Sequence, residues 1–261
     1  MILAEEWGIV SDVFHSGPGS RPGLVIKNRK MTKNKSDQME KTKLKDLFAP
    51  RVLACLGSII VLQLAVFYLT RIPLAHRTLH RLSGPLDEMI PLRPGWAAVY
   101  FLTFVSWGVG LLWIMAESRE HCCRFTAAVL LSQLIAGAIF LLYPCTIDRP
   151  ELVGDGLSMD LMRFLYRVDS PMNLLPSFHV IFSYFCWRGT MGCTKIPRWY
   201  RRFNFLCLIL ACAAILFVKQ HVIADIPSAI IVSELALQTA RLARLERIPF
   251  AVEQKIRKPK E

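Results

Sequence analysis

The stretch LFVKQHVIADIPSAI, residues 216–230, breaks a long apolar run with a lysine, a glutamine, a histidine and an aspartate. Whether those four side chains lie in a soluble fold or at the end of a membrane-crossing helix decides how the rest of the chain is read. Composition answers first. Hydrophobic residues make up 53% of the 261, and they come in blocks instead of alternating with polar faces as in a soluble domain. Val52–Leu69, Trp96–Ala116 and Phe125–Tyr143 carry no charge, and each is about as long as the ~20 residues that cross a ~30 Å hydrocarbon core. Leu174–Cys193, Phe203–Val218 and Val222–Ala240 are shorter or interrupted. The sequence predicts an all-α fold, a polytopic membrane helix bundle with six transmembrane helices.

Lysine and arginine placement gives the orientation, because cytoplasmic loops carry the excess. With the N-terminus inside, the inner segments hold the basic run from Lys27 to Arg51, Arg119 and Arg124, the cluster from Arg188 to Arg202, and the cluster from Arg241 to Lys260. The outer segments hold only Arg71, Arg77, Arg81, Arg93, Arg149, Arg163, Arg167 and Lys219. Both termini are expected in the cytoplasm. The formal charge of +12 is then explained by topology and by anionic lipid headgroups, so nucleic acid is not an expected partner. Residues 1–50 read as a basic, disordered cytoplasmic tail, 51–240 as the six-helix membrane domain, and 241–261 as a basic cytoplasmic tail. Glu5 and Glu6 stand where a signal peptide needs an apolar core, and Met31 is an alternative start to Met1. No internal repeat is visible. Of the eight cysteines, Cys55, Cys186, Cys207 and Cys212 fall in spans, Cys122, Cys123 and Cys193 at inner ends, and Cys145 near the outer side, which is no disulfide framework. His121-Cys122-Cys123 lacks the spacing of a zinc site.

On this topology the fifth span reaches the outer surface near Lys219. His221 then opens the sixth span, and Asp225 lies one turn deeper on the same face. YPCTIDRPEL, residues 143–152, places Arg149 just outside the third span, and NLLPSFHV, residues 173–180, opens the fourth, with Pro176 suited to the first helical position and His179 in the first turn. These residues meet at one rim. A helix N-terminus offers unpaired N–H groups, here those of Ser177 and Phe178, together with the positive end of its dipole. Arg149 and Lys219 add full charges and the Ser177 hydroxyl another donor, which makes a phosphate cradle. Within it His221, four residues before a carboxylate, has the form of an oriented nucleophile, and the unpartnered His179 that of a general acid. Plainer readings exist for each residue alone. Asp225 caps a helix or makes a surface pair with His221, Arg149 anchors at the interface, Pro176 and Ser177 merely start a helix, and His179 is a tolerated polar residue near the membrane surface. An aspartate inside a span nevertheless costs ~2.5–3.5 kcal/mol and asks for a reason.

The order RP, PS-x-H, H-x-x-x-D, each at the outer end of a span, resembles the type 2 phosphatidic acid phosphatase superfamily. LDEMIPLRPGW (86–96) and VDSPMNLLPSFHV (168–180) extend the likeness, which covers roughly residues 51–240. The resemblance implies an integral membrane lipid phosphatase that hydrolyses a lipid phosphomonoester or pyrophosphate through a phosphohistidine, with no metal and no other cofactor. It implies His221 as nucleophile, Asp225 as its orienter, His179 as acid, and Arg149 and Ser177 as phosphate ligands. The chain departs from the family pattern at Leu142, where the longest first motif has lysine, at Phe178, where glycine is usual, and at Ala214 and Ile215, where Ser-Arg is common. Lys219 supplies a positive charge from a different turn. The pattern is more like the branch with inositol phosphorylceramide synthases, so a phosphotransferase with an alcohol acceptor is a second reading, and a non-catalytic membrane protein on the same scaffold a third. The expected partners are a lipid phosphate and membrane lipids, and the expected location is the cell membrane with the site on the outer face. Neither the particular lipid nor the oligomeric state follows from the sequence.

Overall fold

Long apolar runs suit helices, because a helix satisfies its own N–H and C=O groups wherever water is not a partner. The computed structural model describes residues 45–74 and 76–247. The tail expected over residues 1–50 therefore lies outside the described residues up to position 44, as does the C-terminal tail from 248. In chain order the helices are α1 (Pro50–Leu69), α2 (Arg71–Leu74), α3 (Pro85–Met89), α4 (Trp96–Met115), α5 (Arg119–Leu142), α6 (Leu157–Val168), α7 (Phe178–Arg188), α8 (Arg198–Phe217) and α9 (Asp225–Leu242). A short parallel pairing joins β1 (His80–Arg81) to β2 (Cys145–Thr146), with His80 opposite Cys145. Pro50 opens α1 where a missing N–H costs nothing, and the Ser118 hydroxyl caps α5 by accepting from the His121 N–H at 3.1 Å.

The all-α expectation holds, but among the described residues only 4 helical segments are long and apolar enough to cross a membrane: Pro50–Leu74, Trp96–Met115, Arg119–Leu142 and Arg198–Phe217. The fourth expected span, Leu174–Cys193, is helical only over the 11 residues of α7, roughly 16 Å at 1.5 Å per residue and about half a bilayer core. Pro176 in the preceding loop keeps the first residues of that stretch out of the helix, which at its other end stops at Gly189, short of Cys193. The sixth, Val222–Ala240, begins three residues late at Asp225, and its 18-residue helix carries Asp225, Glu234 and Arg241.

Both shorter helices sit inside the bundle. α7 packs against α4, α8 and α9, and every residue from Phe178 to Cys186 is buried. A helix that is apolar all round belongs in a core, and α7 is that core. α9 lies against α5 and α7, while α1 lies against α5. Polar side chains tie the helices where apolar packing cannot choose partners. The Gln133 amide donates to the Ile59 carbonyl and to Gln63 Oε1, both at 3.1 Å, linking α5 to α1. Glu234 of α9 accepts from Tyr184 at 2.6 Å and Arg188 at 2.8 Å, both on α7. Residues 241–247, read from sequence as the start of a tail, continue the fold, and Glu246 accepts from Arg124 at 3.0 and 3.1 Å.

The sequence reading has no counterpart for α6. Its Met159, Met162 and Leu165 are buried while Leu157, Phe164 and Val168 are exposed, beside Asp160, Arg163 and Arg167. This amphipathic helix, α3, the strand pair and the loops at 169–177 and 218–224 gather at one end of the bundle. There Arg71 reaches Asp169, the Tyr166 hydroxyl reaches the Val218 carbonyl at 3.1 Å, and the Arg93 N–H reaches the Phe217 carbonyl at 2.9 Å.

Candidate active site

α8 ends in a reversal that presents His221. The Gln220 N–H bonds to the Ile215 carbonyl at 3.0 Å and the Lys219 N–H to the Leu216 carbonyl at 3.1 Å, which is the Schellman pattern of helix termination. The left-handed position of that motif usually holds glycine, yet Lys219 occupies it with φ of 53°. A side chain there costs about 1–2 kcal/mol, which the ammonium's contact partly offsets. Nζ donates to the Asp87 carbonyl at 2.7 Å, and burial lowers its pKa against the opposing pull of Asp87 and Glu88.

His221 and Asp225 do not share a helical face, as the spacing had suggested. The helix starts at Asp225 and His221 stands in the turn before it. The carboxylate reaches back: Oδ2 accepts from the Val222 N–H at 3.1 Å and from His221 Nδ1 at 2.8 Å. One oxygen thus ties the ring of His221 to the backbone of the turn, while α9 itself starts after Ala224 with no side-chain cap, so Asp225 is not the helix cap of the plainer reading. Asp225 is fully buried and His221 nearly so. A proton on Nδ1, held by the carboxylate, leaves the lone pair on Nε2.

His179 lies in the first turn of α7 as expected, but the helix begins at Phe178 with Ser177 as N-cap, so Pro176 precedes the cap instead of opening the helix. Its ring is walled by aromatics, with centroids 4.1 Å from Tyr100, 5.0 Å from Trp107 and 5.3 Å from Phe104. Those walls are themselves anchored. Trp107 Nε1 donates to Ser183 Oγ at 2.9 Å, and the Tyr100 hydroxyl donates to Asp169 Oδ2 at 3.0 Å, while Arg71 holds Asp169 Oδ1 at 2.9 Å. The rings of His179 and His221 are 6.1 Å apart. His179 Nε2 and Ser177 Oγ are buried without a hydrogen-bond partner among the described residues. The Phe178 side chain packs against Phe140 and Phe182, so only its N–H is free to serve an anion.

Arg149 is half-buried with no carboxylate at ion-pair distance among the described residues. Its guanidinium donates to Gln220 Oε1 and, at 3.5 Å, to the Tyr166 carbonyl, and lies 4.4 Å over the Tyr166 ring. Burial lowers its pKa. Asp169, within electrostatic range but not in contact, only partly offsets that burial, so the guanidinium keeps room for an anion.

His221 borders two cavities of different character. One, of about 250 Å³, is mostly apolar, walled by Leu64, Tyr68, Tyr100, Phe104 and Phe182, with His179, Asp169 and Asn173 also on its lining. The other, of about 680 Å³, is lined by Arg81, Asp87, Asp148, Arg149 and Lys219. All the residues singled out in the sequence therefore gather at one end of the bundle. No protein-family model, curated protein or solved structure matches the chain. Its chemistry is accordingly read from this geometry and from the resemblance of its motifs. Among the described residues no set of His, Cys, Asp and Glu gathers as a metal site, and the cysteines are free.

Tyr166, Tyr100, Asp169, Arg71, Asp87 and Gln220 join the site without having been given a role in the sequence reading. Gln220 stood out there as an amide in an apolar run beside His221, and Asp87 and Asp169 lie in the two stretches that extend the likeness.

Lys219→Gly separates the turn from the charge. Glycine relieves the left-handed strain and gives up the bond to the Asp87 carbonyl, opposing changes of about 1–2 kcal/mol each that should leave thermal unfolding in detergent close to wild type. Loss of one charge-assisted contact, about 1.5–3 kcal/mol, should weaken phosphate or substrate-analogue binding roughly 10- to 100-fold. Unchanged binding would remove Lys219 from the site.

Proposed function

We propose that this protein is an integral membrane enzyme that transfers the phosphoryl group of a lipid phosphate to His221 and then to water. The observation that carries the reading is the junction itself: two imidazoles 6.1 Å apart, one fixed by a buried carboxylate, standing where an apolar cavity meets a charged one. Arg149, Lys219, the Ser177 hydroxyl and the first N–H groups of α7 hold the phosphoryl oxygens. His221 Nε2 attacks phosphorus and the bond to the lipid oxygen breaks. The departing oxygen keeps the electron pair and takes the proton of His179. Asp225 balances the charge on the phosphorylated imidazole. His179, now neutral, takes a proton from water, whose oxygen attacks phosphorus; the N–P bond breaks and its pair returns to Nε2. The lipid alcohol leaves on the aromatic side and phosphate on the charged side.

We also place six segments across the bilayer, α7 and α9 completing their crossings with adjoining loops, both termini in the cytoplasm and the site outside. An engineered cysteine at Glu151, exposed beside Arg149, should react with an impermeant maleimide on intact cells. Reaction only after permeabilisation reverses the topology.

The charged cavity favours one second reading, since about 680 Å³ with carboxylates facing cations exceeds what phosphate and water fill. An alcohol acceptor in place of water makes the enzyme a lipid phosphotransferase. Both readings are tested by one experiment: purified protein is given phosphatidic acid, phosphatidylglycerophosphate or polyprenyl pyrophosphate in chelator, and products are identified. Free phosphate marks the hydrolase, and a new phosphoester marks the transferase. With cationic side chains neutralising the phosphate, activity should persist in EDTA. Complete loss restored by magnesium would mean a different mechanism.

A further inference from the structure

We infer that Asp87 is a positioning residue that clamps the turn carrying His221. The inference rests on the reading of His221 as the attacking group, and its observations are independent of that reading. Asp87 sits in α3, a five-residue helix whose own N-terminus needs only one of its oxygens, Oδ2, which accepts from the Gly84 N–H at 2.9 Å. The other oxygen points elsewhere, accepting from the Ile223 N–H at 2.8 Å. The Asp87 carbonyl takes the Lys219 ammonium at 2.7 Å. One residue therefore grips the turn two positions before His221 and two positions after it. Farther along the same segment the Arg93 N–H bonds to the Phe217 carbonyl at 2.9 Å, so the 84–93 stretch is docked along the whole reversal.

The consequence lies in how the imidazole is aimed. The consecutive N–H groups of Val222 and Ile223 go to two different carboxylates, Asp225 from within α9 and Asp87 from a segment more than a hundred residues earlier. Asp225 holds the ring of His221, and Asp87 holds the backbone the ring hangs from. A group that acts by attack along a defined line is sensitive to that backbone, and a misplacement of about 1 Å costs roughly 10²-fold. Capping of α3 alone explains the Gly84 contact but neither contact to the turn. The motif LDEMIPLRPGW, which the catalytic assignment left without a role, acquires one here.

Asp87→Ala and Asp87→Asn test the clamp, each read in two ways. In single turnover with a lipid phosphate, Asp87→Ala should form phosphohistidine roughly 10²-fold more slowly, with KM changed much less. Asp87→Asn keeps a side-chain carbonyl for the Ile223 N–H and should recover most of the rate. Amide hydrogen exchange in residues 219–225, which needs no substrate, should accelerate in Asp87→Ala, with helices remote from the turn unaffected, and should be largely restored in Asp87→Asn. Wild-type exchange across 219–225 in Asp87→Ala overturns the clamp, as does a wild-type rate of phosphohistidine formation. Failure of the wild-type protein to form phosphohistidine would defeat the proposed reaction instead, and the exchange result would still decide whether Asp87 holds the turn.

Discussion

His221→Ala should abolish both phosphoenzyme formation and turnover. The side chain does what no neighbour can replace: it borders both cavities, and its Nδ1 is held at 2.8 Å by the buried Asp225 so that Nε2 carries the lone pair. Removing a nucleophile costs far more than removing a binding contact, roughly 10⁴- to 10⁶-fold in kcat where the group acts as part of a unit. On the proposed reaction affinity should respond differently, because the proposed phosphate ligands Arg149, Lys219 and the N-terminus of α7 remain after the imidazole is gone. Binding of a non-hydrolysable lipid phosphonate should stay within about tenfold of wild type, the ~1.4 kcal/mol that one modest contact represents. Acid-labile, base-stable label from a radioactive lipid phosphate should appear on the wild-type chain and not on the variant. Equal turnover by wild type and His221→Ala would refute the assignment.

Which parts of this arrangement are legible in the sequence follows from how far apart their causes lie. A charge-free run of about 20 residues is its own evidence for a crossing helix, and α1, α4 and α5 answer to it directly. α7 does not, because it is cut short by Pro176 before it and Gly189 after it, and its apolar side chains face three neighbouring helices. The reversal before His221 is hidden for another reason: its left-handed residue is Lys219 and not the glycine that marks such turns. Pro227 is the one local sign, since proline is tolerated in a first turn and places the start of α9 near Asp225. The motif order RP, PS-x-H, H-x-x-x-D brings out Arg149 in the loop after β2, Ser177 and His179 at the start of α7, and His221 and Asp225 at the start of α9. The residues that hold them come from elsewhere in the chain. Arg71 and Asp169 anchor Tyr100 under His179, Tyr166 carries Arg149, and Asp87 reaches Ile223. Such pairings depend on packing between segments, and periodicity within a segment says nothing about them.

His179→Ala should separate substrates by their leaving groups. A lipid alkoxide departs poorly without a proton, and a positioned acid contributes typically 10²–10⁴-fold, so phosphohistidine formation from a lipid phosphate should slow by about that factor. An aryl phosphate with an acidic phenol leaves unaided, and its burst of phenol should remain near the wild-type rate, provided it reaches the site. Steady-state turnover tells less, because in the proposed reaction the same imidazole, once neutral, also activates water in the second half. With the aryl substrate the variant should therefore show a normal burst followed by slow release, and phosphohistidine should accumulate. The aromatic enclosure of His179 by Tyr100, Phe104 and Trp107 adds a structural requirement: alanine leaves a gap in that wall, so His179→Asn, closer in size, is the companion variant and should show the same split between substrates. A single-turnover comparison of both variants on a lipid phosphate and an aryl phosphate decides the role. An equal loss of burst rate on the two substrates would mean that His179 holds the phosphate and donates no proton to the leaving oxygen.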